Sequence, residues 1–378
     1  MIFPALLGGL AAAKRWGPAH GAVTAYLLYA THGISPLLVI AVAAALIIHA
    51  RGLAADRLTL YALAAAYAKF LLLPYVAGRP LPYYEALWYA AEVSPYWRTY
   101  APLTYLPDAP PLQLALEGTL FAAGVAALAA RALAEVVGRQ AVFWPLLAPE
   151  PLWFGHMALA IPLAWVATYY AAKKKHLSAA FAIALAAGFH VYGGVLAALL
   201  AALFGAVWTL LLAPLLLLTP QSWVLISLIW RIPGMDPAQL LTTAFHKTAL
   251  WQIKTAAEAA VLVAVALAAG RAQAVAWMGL AAALLTARAP AELAGFIYRH
   301  FLAVLPFARL SAKLYAALSA LALLPFLLQV TYFGLDWGWA LKYSQALAQG
   351  QAVEGPVARA YREIYGERAY REIYGGTP

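Results

Sequence analysis

The sequence LPYYEALWYAAEVSPYWRTYAPLTYLPDAPPL, Leu81–Leu112, separates two apolar runs in the first half of the chain. It carries six Tyr, two Trp, Arg98 and three carboxylates, Glu85, Glu92 and Asp108. Aromatic rings mixed with charged groups are typical of a segment that lies at headgroup depth on a membrane. We therefore expect this loop to lie at the membrane surface and to cover a polar site.

Outside this loop, apolar residues dominate. Hydrophobic residues make up 65% of the chain and charged residues 11%, whereas globular domains carry about 25% charged residues. This composition predicts an all-α bundle in the cell membrane, with about 11 to 13 spans of roughly 20 residues each. The net charge of +10 comes mostly from Lys and Arg clusters between apolar runs, where they set orientation. We expect membrane lipids, and no nucleic acid, as partners.

The chain divides into three parts. Residues 1–57 form an N-terminal extension with one or two membrane segments, broken near Gly33–Pro36. Residues 58–333 form the main membrane domain, with outer loops at 78–112 and 234–254. By the positive-inside rule Arg51–Arg57, Arg139 and Lys173–His176 face the cytoplasm, so both outer loops are extracytoplasmic.

Residues 334–378 form a polar tail that contains an exact repeat. The segment Arg359–Gly366 recurs as Arg368–Gly375. Two copies are too few to stack into a solenoid. The tail is either a short amphipathic helix on the membrane surface or a docking segment for a protein partner. The chain has no Cys and no Asn, which excludes disulfides and indicates a hot habitat.

Several segments resemble the GT-C class of polyprenyl-phosphate-sugar-dependent glycosyltransferases, and the closest resemblance is to the GPI mannosyltransferase I type. The loop string Ser94–Leu103, SPYWRTYAPL, is similar to the family's Ser-Pro-Tyr-x-Arg and Tyr-x-Pro-Leu motifs, and Tyr84 and Ala90-Ala91 precede it as they do there. Three later segments also resemble family motifs: Phe143–Pro151 with Ala148 in place of an Asn, Phe189–Tyr192 without the family's Lys, and Tyr298–Pro306.

The resemblance implies a GT-C-like membrane fold with its cleft on the extracytoplasmic side. It also implies transfer of a hexose, with mannose the first candidate, from a polyprenyl-phosphate donor to a lipid-linked or surface glycan acceptor. Leu81 and Tyr83 stand where the family has its two loop aspartates, so we expect no divalent metal and no other cofactor.

Sugar transfer of this kind needs a base for the acceptor hydroxyl and cations for the leaving phosphate. Glu85 is the nearest carboxylate and the candidate catalytic base. The candidates for phosphate binding are Arg98, His156, His190, His246 and Lys247. The further site candidates are Tyr84, Glu92, Glu150, Arg299 and His300.

Each candidate also fits a structural role. Glu85 and Glu92 lie two helical turns apart, as on the solvated face of an interfacial helix, and Glu150 between two prolines suits an N-cap. Single histidines at span ends suit hydrogen-bonded structural roles. Two other functions stay open. A catalytically degenerate homologue that serves as a binding or partner subunit is favoured by the missing aspartates. A transporter or lipid flippase is disfavoured, because the chain has no inverted repeat.

Overall fold

The computed structural model describes residues 2–31, 35–53, 56–76, 111–149, 155–219, 222, 249–285 and 299–333. Regular structure within these ranges is entirely helical, which confirms the all-α prediction. The helices are α1 (Ile2–Trp16), α2 (Pro18–Thr31), α3 (Pro36–His49), α4 (Arg57–Val76), α5 (Pro111–Val137), α6 (Trp144–Leu147), α7 (Gly155–Ala172), α8 (His176–Phe189), α9 (Val191–Leu203), α10 (Leu212–Leu217), α11 (Ala249–Ala268), α12 (Gln273–Leu285) and α13 (Ala312–Phe333). Residues 299–304 are also helical, and short 3₁₀ turns lie at Arg139–Phe143, Val207–Leu211, Gly270–Ala272 and Leu305–Phe307.

The break predicted near Gly33–Pro36 is present as the start of α3. Ser35 has extended backbone, and its hydroxyl accepts a hydrogen bond from the Leu38 amide at 3.3 Å. Pro36 follows at the first helical position, where its missing N–H costs nothing. A serine cap followed by proline therefore marks the start of α3 as a helix separate from α2.

The first two helices pack with their backbones in close approach. A Cβ placed on Gly21 would lie 2.6 Å from the carbonyl oxygen of Gly9, so neither helix admits a larger residue there. Small residues at such a contact are the usual means of close helix packing in membranes. From α2, the Tyr26 hydroxyl donates to the Leu159 carbonyl of α7 at 2.5 Å. The N-terminal helices therefore share one core with the later ones.

Two polar contacts fix α4 and α5 as an antiparallel pair. Asp56, just before α4, forms an ion pair with Arg131 of α5 at 3.0 Å. Further along, the Tyr67 hydroxyl donates to the Leu120 carbonyl at 2.7 Å. The same number of residues separates the two contacts on each helix. The end of α4 and the start of α5 are therefore level with each other, at the end of the bundle opposite to Asp56.

The apolar segment after α5 is short and broken. It consists of the 3₁₀ turn and the single turn of α6, and it ends at Ala148 with extended backbone. Trp144 is buried, with its ring centroid 4.8 Å from that of Trp165. The indole of Trp165 donates to the Ala303 carbonyl at 2.9 Å. The short segment thus packs inside the bundle against α7 and residues 299–304.

Basic turns gather at one end of the bundle, which we call the basic end. Lys14 Nζ lies 3.0 Å from the Arg51 carbonyl oxygen, and this contact joins the last turn of α1 to the turn that follows α3. The ring of His20 packs edge-on against Tyr170, 5.5 Å away, next to the turn after α7. The Arg309 amide donates to the Ala268 carbonyl at 2.9 Å. The cations of these turns and the adjacent helix ends are Lys14, Arg15, Arg51, Arg57, Arg131, Arg139, Lys173, Lys174, Lys175, Arg271, Arg309 and Lys313.

One helix in the described ranges is long and apolar enough to cross a membrane by length and composition. It is Leu120–Val137 within α5, with a mean hydropathy of 1.8. Seven shorter apolar helices of 10–17 residues accompany it.

One boundary differs from the sequence-based expectation, and one turn carries no marker in the sequence. Helix α11 begins at Ala249, inside the predicted outer loop at 234–254. The chain also reverses after α9 at Gly205, whose φ of +119° suits glycine. Because no basic residue marks this reversal, charge alone could not locate it.

Candidate functional site

A buried histidine joins three helical elements on the side of the bundle where α9 begins. His300, at the start of the 299–304 segment, is 4% exposed. Its Nδ1 lies 2.6 Å from the Val275 carbonyl oxygen of α12, and its Nε2 contacts the hydroxyl of Tyr192 on α9. A carbonyl only accepts hydrogen bonds, so this network assigns the ring proton to Nδ1. The Tyr192 hydroxyl then donates to Nε2 of a neutral imidazole.

A glycine makes room for this ring. A Cβ on Gly279 of α12 would lie 2.6 Å from His300 Cγ and 2.9 Å from its Cβ and Cδ2. These distances are far below ordinary contact between carbon atoms. Helix α12 therefore approaches the 299–304 segment closely because position 279 has no side chain.

His190 is the single residue between α8 and α9, and it caps α9. Its backbone is extended, with φ −165° and ψ 121°. Its Nδ1 accepts a hydrogen bond from the Tyr192 amide at 3.1 Å, and the residue is 1% exposed. Ser, Thr, Asn or Asp usually fills this role. Since Nδ1 acts as an acceptor, the neutral ring carries its proton on Nε2.

Arg299 adds a cation beside these groups. It is half-buried and lies close enough to Tyr192 to act on it electrostatically. The first turn of α9 carries the positive end of a helix dipole. Arg299 and the α9 amides therefore make this place electropositive, and the neutral His190 ring adds an N–H donor, which together suit a phosphate or another anion.

The start of α9 also packs against α7. A Cβ on Gly193 would lie 2.2 Å from the Cβ of Ala160. His156 lies one helical turn before Ala160, so its backbone belongs to the same neighbourhood. Its side chain falls outside the part of the chain that the structure describes.

The structure thus brings together three of the predicted candidates, His190, Arg299 and His300. Tyr192 was not predicted as a site residue, although it closes the motif-like segment Phe189–Tyr192. The sequence carries no signal for this role, because a Tyr two residues after a His does not by itself indicate that the His caps a helix. The predicted residues that lie outside the described ranges are Tyr84, Glu85, Glu92, Arg98, Glu150, His246 and Lys247. Within the described ranges, no three His, Asp or Glu side chains group as metal ligands would.

Comparison of the chain with protein-family models, with curated proteins and with solved structures gives no match. The functional argument therefore depends on the geometry of the site and on the sequence.

Proposed function

We propose that this chain is a polytopic membrane protein. The support is the apolar surface that stays exposed around its helices. Helix α3 has the sequence PLLVIAVAAALIIH, and its buried residues are Val39 and Ala43. Leu37 and Ile48 are each 77% exposed. Soluble proteins rarely leave such a contiguous apolar face in water, whereas contact with lipid acyl chains explains a helix that is apolar on all sides.

The basic end faces the cytoplasm in this proposal. The positive-inside rule assigns short loops rich in Lys and Arg to that side. The start of α9 then lies toward the extracytoplasmic side, because α8 leaves the basic end at Lys175. The end of α4 and the start of α5, which flank residues 77–110, lie on that side as well.

We propose further that the protein is a GT-C-like glycosyltransferase that moves a hexose, with mannose the first candidate, from a polyprenyl phosphate to a lipid-linked or surface glycan. The observation that carries this proposal is the convergence of Arg299, His190 and Tyr192 at the start of α9. An arginine beside helix amides can bind the phosphate of the donor through charge-assisted hydrogen bonds. All three residues come from segments that resemble family motifs, Phe189–Tyr192 and Tyr298–Pro306.

The reaction breaks the bond between the anomeric carbon and the phosphate oxygen, and the phosphate leaves with the electron pair. The acceptor hydroxyl forms the new bond to the anomeric carbon and gives its proton to a base, for which Glu85 is the candidate. Arg299 stabilises the charge that develops on the leaving phosphate. Without the two family aspartates, side-chain cations take over this task, so activity should survive a chelator.

Donor binding by purified protein in detergent tests the phosphate site. Arg299→Gln removes the cation and should weaken binding of a polyprenyl-phosphate sugar by about 10- to 100-fold, the value of a hydrogen bond to a charged group. His190→Asn separates the two roles of His190, because Asn is a strong N-cap and keeps the start of α9 intact while it removes the imidazole. If His190 only caps the helix, this variant binds normally. If its ring also contacts phosphate, binding weakens.

Turnover tests the chemistry separately. Glu85→Gln should lower the rate on the order of 10² to 10⁴ while donor binding stays unchanged. Binding without turnover across several acceptors, with and without EDTA or added Mg²⁺ and Mn²⁺, would identify a degenerate homologue that serves as a partner subunit. Absence of donor binding by the unmodified protein would refute the transferase proposal.

A further inference from the structure

Two basic turns that are distant in sequence lie side by side at the basic end. The first closes α1 and the second follows α7, and the contact between His20 and Tyr170 holds them together at 5.5 Å between ring centroids. Lys175 is near enough to act electrostatically on His20. We call the exposed residues of these two turns the cationic surface: Lys14, Arg15, Trp16, Lys173, Lys174 and Lys175.

The acidic residues of this end do not neutralise the cationic surface. Within the described ranges they are Asp56 and Glu135, and Arg131 binds both. Its guanidinium lies 3.0 Å from Asp56 Oδ2 and 3.1 Å from Glu135 Oε1. The basic turns therefore keep an excess of positive charge, which costs free energy through mutual repulsion unless an anion approaches.

Exposed aromatic rings accompany these cations. Trp16 is 48% exposed and stacks on His49 with 5.8 Å between ring centroids. Trp208 is 39% exposed, and its indole donates to His176 Nδ1 at 3.1 Å. Leu177, directly after the second basic turn, is 89% exposed. Tryptophan beside cations is typical of the headgroup region of a bilayer, and an exposed leucine suits an acyl chain.

We propose that the cationic surface binds the headgroups of anionic phospholipids in the cytoplasmic leaflet. The charge excess selects an anionic headgroup, and the neighbouring Trp16 and Leu177 favour a lipid over a free anion. The inference rests on the membrane placement proposed above and does not depend on sugar transfer. Each cation near a lipid surface contributes about fivefold in affinity, so two cations contribute roughly 30-fold.

The test compares two double variants in detergent micelles, with phosphatidylglycerol or phosphatidylcholine added and bound lipid counted by native mass spectrometry. Lys174→Gln with Lys175→Gln should weaken phosphatidylglycerol binding roughly 30-fold and leave phosphatidylcholine binding unchanged. Arg271→Gln with Lys313→Gln is the matched control, because it removes the same charge from exposed positions of the same end. This control should retain most of the binding.

Three results would overturn the proposal. Unchanged phosphatidylglycerol binding in the Lys174 and Lys175 variant would exclude the cationic surface. An equal loss of phosphatidylglycerol binding in both double variants would indicate that the lipid responds to the total charge of the basic end and not to the cationic surface. Full competition by inorganic phosphate would indicate a site for free anions. Donor binding by the same variants, measured in parallel, should be normal because the start of α9 is distant, so failure of the lipid proposal can be distinguished from failure of the transferase proposal.

Discussion

Gly279→Ala should destabilise the protein through His300, against the usual effect of this substitution. The added Cβ would lie 2.6 Å from His300 Cγ, about 1 Å inside ordinary van der Waals contact. The ring cannot yield without breaking its 2.6 Å contact with the Val275 carbonyl and its contact with Tyr192. Both polar partners would then be left buried.

The expected magnitude follows from three contributions. Overpacking costs about 1–3 kcal/mol, and each of the two lost hydrogen bonds costs about 1 kcal/mol. Replacing glycine by alanine within a helix returns about 1 kcal/mol. The net loss in the free energy of unfolding is therefore about 2–4 kcal/mol for Gly279→Ala.

Thermal unfolding in detergent, followed by tryptophan fluorescence, measures the effect in a double-mutant cycle with His300→Gly. The three atoms nearest to the added Cβ all belong to the His300 side chain. Once that side chain is removed, Gly279→Ala should be neutral or stabilising by up to about 1 kcal/mol. If Gly279→Ala destabilises both backgrounds equally, the clash with His300 is not the cause and the close approach described above is wrong.

Three further outcomes follow from other contacts. Burial raises the pKa of the Asp56 carboxyl, but hydrogen bonds from Arg131 and the Thr59 amide outweigh it and lower the pKa below the ordinary value. This stabilisation is complete above the unfolded pKa of about 3.9 and disappears as the pH falls through the folded pKa. Asp56→Asn should therefore flatten the decrease in the free energy of unfolding between about pH 5 and pH 3. The effect should be less than about 1 kcal/mol, because the Asp56 side chain is 51% exposed. Ser35→Ala should cost about 1 kcal/mol in unfolding experiments, and Ser35→Asn should restore it, because α3 loses and regains its cap. A cysteine at Lys174 in this cysteine-free chain should react with an impermeant thiol reagent only after the membrane is opened, and labelling of intact cells would reverse the proposed orientation.

Helix ends were predictable from the sequence where a proline or a basic turn marks them. In the sequence, the apolar run Leu58–Val76 coincides with α4 to within one residue, and the apolar run Gln113–Val137 falls inside α5. Both runs are apolar over many residues, and each is bounded by a proline or by charged residues that do not belong in an apolar environment. Apolar length and charge are therefore sufficient signals for such helices.

The turn after α9 was not predictable in the same way. It consists of Phe204 to Ala206 and carries no charge, and Gly205 is one of many glycines in the chain. The early start of α11 has a similar cause, because polar residues near Lys254 resemble those of an interfacial loop. Where the marker residue is also common inside helices, the pattern alone does not separate a turn from a span.

The candidate site shows that the sequence pattern does not predict which helices are neighbours. Because α8 starts at the basic end, the alternation of helix direction is enough to expect His190 at the opposite end. Residues 299–304 run back toward Phe307, whose ring lies 5.2 Å from that of Phe204 at the end of α9. The alternation of helix direction determines the position of a residue along the bundle axis, but it does not determine which helices are neighbours. That choice depends on where backbones can approach, and here Gly279 opens the space that His300 fills beside Tyr192. The glycines of α9 and α12 are thus the sequence feature that determines which helices pack side by side. The sequence does not show which helix each glycine contacts, so this role can be recognised only when the partner helix is known.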